Sequence, residues 1–350
     1  MKKFLCVLVT LSLLALATAC GSSESGQAPE ETENKIVIGF SQLGAESDWR
    51  CANTESMKAA FSEENGYRLI FDDAQQKQVN QIKAIRNFIQ QEVDYIILAP
   101  VTETGWDTVL TEVKEAGIPV IVVDRMVDVA DESLYTCFVG SDFELEGKKA
   151  AAWLHEYSQA MGIAPEDLHI VNIQGTIGAT AQIGRTAGLS EAADKYGWDL
   201  MAEVSGEYTK AKGREVMEEF LKTYPNLNVV YCENDNEAFG AIEAIEAAGK
   251  TVGGNIAEGE ILVMSFDAVA QAMQYAIEGK ITCVTECNPL HGPRVKGIIE
   301  TIEVGGDTDK RSYATEGIFA ANDVVKTIEV DGTDYEVTLV TSELLEGRAY

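Results

Sequence analysis

Trp49-Arg50 closes the polar stretch Phe40–Arg50, FSQLGAESDWR, and sets a flat aromatic ring beside a guanidinium fork. A sugar suits that pairing, because its C–H face is apolar while its hydroxyls must be hydrogen-bonded. The same ring would equally anchor the helix that follows, so the stretch alone leaves both roles open. Polar side chains also follow apolar runs directly at three other places. Asp124-Arg125 follows Val120–Val123, Glu233-Asn234-Asp235 follows Val229–Tyr231, and Asp267 follows Ile261–Phe266. An apolar run ending in an ion pair favours a binding role for Asp124-Arg125, whereas Asp235 reads as a helix N-cap, a favoured place for aspartate. Tyr208 offers either a second aromatic wall or ordinary packing, and Arg185, taken alone, faces solvent.

Other chemistries find little support. Gln174-Gly175-Thr176-Ile177-Gly178 is glycine-rich but contains neither Gly-x-Gly-x-x-Gly nor a following Lys-Ser/Thr, so dinucleotide and phosphate-loop readings fail. The chain has no Gly-x-Ser-x-Gly, no His-Glu-x-x-His and no histidine near a candidate nucleophile, and no catalytic set is expected. Only His155, His169 and His291 are available, and the cysteines lack metal-site spacing, so neither metal nor cofactor is expected. Carboxylate pairs for glycoside hydrolysis are present only through the abundance of Asp and Glu.

The elements that must position these residues alternate regularly. Lys35–Gly39 reads as a buried strand, and Met57, Ala60 and Phe61 recur at helical spacing after it. Strands at Tyr67–Phe71, Tyr95–Ala99 and Val120–Val123 are separated by helices around Ile82–Ile89 and Val109–Ala116. The pattern restarts after Phe138-Val139-Gly140, with strands at Ile170–Ile173, Trp198–Val204, Val229–Tyr231, Ile261–Phe266 and Ile281–Thr285. Strands and helices alternating in this way predict parallel βαβ units and two doubly wound α/β lobes. In such sheets ligands bind beyond the carboxyl ends of the strands, where the polar residues above would converge. The helix through Val295 and Ile299 is expected to return to the first lobe, and Tyr335–Val340 reads as a last strand.

Residues 1–20 carry Lys2-Lys3, an apolar run and small residues ending in Ala17-Thr18-Ala19-Cys20, the form of a secretory signal. The ending resembles a lipoprotein processing site, which implies lipidation of Cys20 and attachment to a membrane through that lipid. Residues 21–34 are polar and acidic and read as a flexible tether. With 27 basic against 57 acidic residues, nucleic acid is an unfavourable partner. Of seven cysteines, Cys51, Cys137, Cys232, Cys283 and Cys287 lie beyond the leader and are expected to be free and mostly buried.

FSQLGAESDWR, DDAQQKQVNQIKAIRNF, APVTETGW, IPVIVVDR, QGTIGATAQIGR, KGREVMEEF, ENDNEAFGAIEAI and SFDAV together resemble a periplasmic-type sugar-binding protein of an ABC transporter, in the ribose/galactose-binding group. The likeness runs from about Lys35 to about Gly305. It implies two Rossmann-like lobes of the type I periplasmic binding protein arrangement, joined by a three-crossing hinge with ligand in the interlobe cleft. The expected division is 35–140 plus about 288–330 for lobe one, and 141–287 plus about 331–350 for lobe two. By position, the resemblance implies ligand contacts from Ser47, Trp49, Arg50, Asp124, Arg125, Arg185, Tyr208, Asn234, Asp267 and Glu286. Cys287 stands where ribose binders have a glutamine, so the resemblance leaves Glu286 or Asn288 to take over that contact, and Glu286 matches the closer relative. Arg50 replaces their second aromatic, which favours galactofuranose or a related furanose or pentose over plain ribose. The implied role is an extracytoplasmic, lipid-anchored, non-enzymatic receptor that delivers a monosaccharide to an ABC permease. A ligand-sensing subunit of a membrane sensor kinase is the alternative. A secreted glycosidase ranks lower, as does a sugar-responsive regulator, which would need DNA-binding helices.

Overall fold

The computed structural model describes residues 35–350. The expected signal, the expected tether and Cys20 lie outside the described residues. The first half of the chain runs β1 (Ile36–Gln42), α1 (Asp48–Ala60), β2 (Tyr67–Asp73), α2 (Gln78–Gln90), β3 (Tyr95–Leu98), α3 (Asp107–Glu115), β4 (Val120–Val123) and β5 (Cys137–Gly140). It continues with α4 (Phe143–Met161), β6 (His169–Gln174), α5 (Thr180–Tyr196), β7 (Asp199–Ser205), α6 (Lys210–Thr223) and β8 (Val229–Cys232). Next come α7 (Asp235–Ala247), β9 (Leu262–Asp267), α8 (Ala270–Ile277), β10 (Cys283–Glu286), α9 (Gly292–Glu303) and β11 (Arg311–Tyr313). β12 (Ile318–Ala320), β13 (Thr327–Val330), β14 (Thr333–Leu339) and α10 (Ser342–Glu346) complete it.

Two sheets result. The first has the order β11-β5-β4-β3-β1-β2 and is parallel throughout; the second has the order β13-β14-β12-β10-β9-β8-β6-β7. Central strands such as Val120-Ile121-Val122-Val123 are buried along their whole length, as strands covered on both faces must be. One face of the first sheet packs on Ile85, Phe88, Val109 and Val113, and the other on Met57, Phe61, Val295 and Ile299. In the second sheet α4 and α5 bring Trp153, Leu154 and Leu189 to one face, and α6 to α8 bring Met217, Phe239 and Met273 to the other.

The chain passes between the sheets at 141–142, at 287–291 and at 314–317. The third passage comes earlier than the sequence reading placed it. β12 pairs antiparallel with β10, and β13 and β14 follow it in the second sheet, so residues 318–330 do not belong with the first lobe. The reason is local: Ile318-Phe319-Ala320 spans three residues, too short to show a period, yet all three are buried beside β10. Among the described residues no helix is long and apolar enough to cross a membrane.

Candidate functional site

A cavity of about 290 Å³ lies between the carboxyl ends of the two sheets, and the loops that leave those strands line it. From the first sheet come Glu46, Ser47, Trp49 and Arg50 at the start of α1, and Asp124 and Arg125 after β4. The second sheet and its helices bring Phe143, Ala181, Arg185, Tyr208, Asn234, Asp267 and Cys287. Local backbone explains several placements. Asp124, Tyr208 and Asp267 all adopt positive φ (64°, 60° and 101°), so each strand end turns sharply toward the cavity. Non-glycine residues persist there only when their surroundings hold them, and such strain gathers at ligand sites.

Three arginines dominate the electrostatics, and each is paired. Arg50 donates Nη2 to Asp124 Oδ2 at 2.6 Å and Nε to Glu46 Oε1 at 3.0 Å, with its guanidinium 4.6 Å from the centre of the Trp49 ring. Arg125 sits 3.8 Å from both carboxylates, donates to the Val101 carbonyl at 2.8 Å and lies over the Tyr208 ring. Arg185 donates Nε to Glu146 Oε2 at 2.7 Å, approaches Asp267 Oδ1 at 3.5 Å and lies over the rings of Phe143 and Phe266. Burial alone would lower the pKa of Arg50, but Asp124 and Glu46 outweigh it and keep the guanidinium charged. Burial likewise pushes the Asp267 carboxyl well up, against the pull of Arg185. Charged planar donors with fixed direction are suited to hydroxyl ligands, and their paired carboxylates avoid an isolated buried charge.

Packing brings Glu146 and Arg185 together. α4 and α5 cross at Gly147, Gly184 and Gly188, where an added Cβ would strike the facing backbone. That close approach lets a short acid-to-arginine reach span the two helices.

Nine of the ten expected ligand contacts line this cavity: Ser47, Trp49, Arg50, Asp124, Arg125, Arg185, Tyr208, Asn234 and Asp267. Ser47 also N-caps α1, accepting from Arg50 N at 3.1 Å. Three expectations need correction. Glu286 is not a lining residue, because its carboxylate is held by Arg348, Tyr350 and the Gly317 amide; Cys287 faces the cavity instead. Asn234 and not Asp235 caps α7, while the Asp235 carboxylate accepts from Ser265 and from Val269 N. Arg185 does not face solvent; it is 2% exposed. Glu46 and Glu146 were missed. Glu46 stands four residues before Arg50, and a buried arginine's need for a counter-charge was its only signal. Glu146 sits on a helix with no such neighbour in sequence.

Behind the cavity, where the chain passes between the sheets, Glu146, Cys287 and Glu316 gather within 4.8 Å. Ser141 Oγ and Asn288 N donate to Glu316 Oε1 at 2.6 and 2.7 Å, and Lys149 Nζ donates to its carbonyl. Glu316 therefore ties residues from all three passages. The five cysteines of the described chain are free; Cys51 is exposed and the other four are buried.

A family model described as a periplasmic binding protein domain matches residues 38–289. The galactofuranose-binding protein YtfQ of Escherichia coli is 39% identical over 288 residues, covering 81% of this chain and 85% of that one. A Mycobacterium smegmatis protein solved in complex with β-D-fucofuranose is 42% identical, with a TM-score of 0.77 over 83% of this chain and 92% of that one. The binding component of an arabinose ABC transporter from Shewanella sp. ANA-3, bound to α- and β-L-arabinofuranose, is 40% identical. Its TM-score is 0.75, over 82% of this chain and 93% of that one. The family model spans most of the chain and the solved relatives share its fold, so the chain belongs to the periplasmic binding protein family.

Proposed function

We propose that this protein is the extracytoplasmic receptor of a sugar importer: it captures a monosaccharide in furanose form and hands it to the permease of an ABC transporter. Galactofuranose or a related furanose or pentose is the favoured ligand. The observation that carries this reading is a set of three buried atoms at the cavity, Glu46 Oε2, Arg50 Nη1 and Tyr208 Oη, that have no partner within the protein. Buried polar groups are seldom left unsatisfied. A sugar hydroxyl both donates and accepts, so a small polyol answers the carboxylate, the guanidinium and the phenol together. Trp49 and Phe143 supply the apolar walls. The relatives support the same reading, since furanoses are what those proteins are described as binding. They are binding proteins, and binding rather than turnover is this chain's role.

Lipid anchoring through Cys20 belongs to the same proposal, supported by the sequence of the leader. Two acyl chains would hold such a receptor at the membrane where one would not.

Calorimetry tests the ligand class. The purified protein, unfolded in denaturant and refolded to strip any carried sugar, is titrated with D-galactose, L-arabinose, D-ribose, D-fructose and D-glucose. Saturable binding of D-galactose or L-arabinose, with a matching rise in Tm, is expected. No binding to any of the five, or turnover of a glycoside, would overturn the proposal.

A further inference from the structure

We infer that Arg348 and Tyr350 are positioning residues for the sugar cavity, acting through the Asp267–Val269 corner and through Glu286. The inference rests on the reading of that cavity as the ligand site. Neither residue lines it, and neither does Glu286.

The corner after β9 is strained. Asp267 and Ala268 both have positive φ, 101° and 64°, although neither is glycine. Something must hold them, and three successive residues are pinned from outside. The Ala268 carbonyl accepts from Arg348 Nε at 2.7 Å, Val269 N donates to Asp235 Oδ2 at 2.8 Å, and Ala270 N donates to the Tyr350 carbonyl at 2.8 Å. Asp267, whose Oδ1 lies 3.5 Å from Arg185 in the cavity wall, is the residue these bonds aim.

Glu286 is the second route. Arg348 Nη1 lies 2.9 Å from Glu286 Oε1, and Tyr350 Oη donates to the same oxygen at 2.8 Å. Arg348 Nη2 in turn donates to Tyr350 Oη, and the guanidinium lies over the rings of Phe319 and Tyr350. The other Glu286 oxygen accepts from Gly317 N at 2.8 Å, in the third passage between the sheets. Cys287, next in sequence, faces the cavity and donates its amide to the Asp267 carbonyl at 3.3 Å. One guanidinium fork thus fixes two of the cavity-lining corners of the second sheet, those at Asp267 and Cys287, and its side chain and that of Glu286 are only 9% and 13% exposed. A fork with five fixed donors can do this where a lysine cannot.

The test uses the full chain with Arg348→Ala, Arg348→Lys and Tyr350→Phe, read by amide hydrogen exchange without sugar and by calorimetry with D-galactose. Arg348→Ala should quicken exchange selectively in peptides covering 267–270 and 286–288, and weaken sugar binding by about tenfold or more. Arg348→Lys should restore little of either, and Tyr350→Phe should shift both in the same direction by about threefold. Unchanged exchange in those peptides with affinity within about twofold of wild type would overturn the inference. So would faster exchange spread over the whole second lobe, which marks a general stability role. If Arg348→Ala does not fold, Tyr350→Phe decides by the same two readouts. If the unaltered protein takes up no sugar, the sugar reading fails, and the exchange pattern still decides whether these residues hold the corner.

Discussion

The Trp49 indole N–H donates to the Cys287 carbonyl at 2.7 Å, joining the first lobe's binding loop to the second passage between the sheets. The ring also meets His291 edge-on at 5.8 Å and is 4% exposed. Anchor and sugar platform are therefore not competing roles, since one edge of the ring holds the passage while the ring lines the cavity. Trp49→Phe keeps an aromatic face but loses the indole bond, and should weaken D-galactose binding by about 1 kcal/mol. Trp49→Ala should cost more, about 3 kcal/mol, because the apolar wall goes as well. Calorimetry beside thermal melts without sugar separates the effects. A Trp49→Phe protein with unaltered affinity would mean that the indole bond does nothing for the bound state.

Asp124 is adjacent to Arg125 in sequence but is held more closely by Arg50, at 2.6 Å against 3.8 Å. The order of the two arginines in mutagenesis follows from this. Arg50→Ala leaves Asp124 and Glu46 dependent on a more distant guanidinium, and should weaken sugar binding by about 2–5 kcal/mol. Arg125→Ala should fall at the lower end of that range, because Arg50 still covers both carboxylates. Titrations of the two variants side by side check the order. A larger loss for Arg125→Ala would show that its contact with sugar outweighs its place in the ion-pair network.

Much of this site was legible because a parallel sheet sends its strand ends to one edge. Asp124, Asn234 and Asp267 could be picked out as polar residues after apolar runs, and the resemblance supplied Arg185 and Tyr208. What escaped were partners distant in sequence. Nothing around Glu146 announces that α5 will place Arg185 against it, since that pairing depends on two helices meeting at glycines. Glu286 was misplaced because its true partners, Arg348 and Tyr350, lie beyond the stretch where the resemblance holds. The third passage was misplaced for a related reason: β12 has only three residues and is a strand through pairing with β10, not through any pattern of its own.

The glycine-rich loop after β6 has a use that its motif did not reveal. A Cβ on Gly175 would overlap the Tyr208 ring, and Gly175 is not among the positive-φ glycines, so its substitution tests contact rather than backbone strain. Gly175→Ala should displace Tyr208 from the cavity wall and weaken sugar binding by about 1–3 kcal/mol. Gly297→Ala, in α9, is the control: a Cβ there meets nothing within 4 Å, and stability should rise by about 0.4–1 kcal/mol. Equal affinities for Gly175→Ala and wild type would show that the ring can shift without loss.

Glu316 makes folding stability depend on pH in a direction unusual for a carboxylate. Burial raises its pKa to about 8, nearby Glu146 pushes the same way, and the bonds from Ser141 and Asn288 only partly oppose them. Between the ordinary 4.5 and about 8 the folded protein keeps this proton while the unfolded chain has lost it. The unfolded state then binds fewer protons, so stability declines as pH rises through that window and levels off above it. Glu233 and Asp235, each raised to about 7 by burial, add declines of the same sign that end near neutrality. Tm should therefore be highest near the acid end of the window and fall toward pH 8. Repulsion within this acidic chain acts in the same direction, so the comparison that isolates the carboxyl is Glu316→Gln against wild type. The amide does not titrate, and its Tm should fall less steeply than that of wild type between pH 7 and 8.5, where the other buried acids are present in both proteins. Parallel curves for the two proteins across that interval would show that Glu316 is already ionised in the folded state.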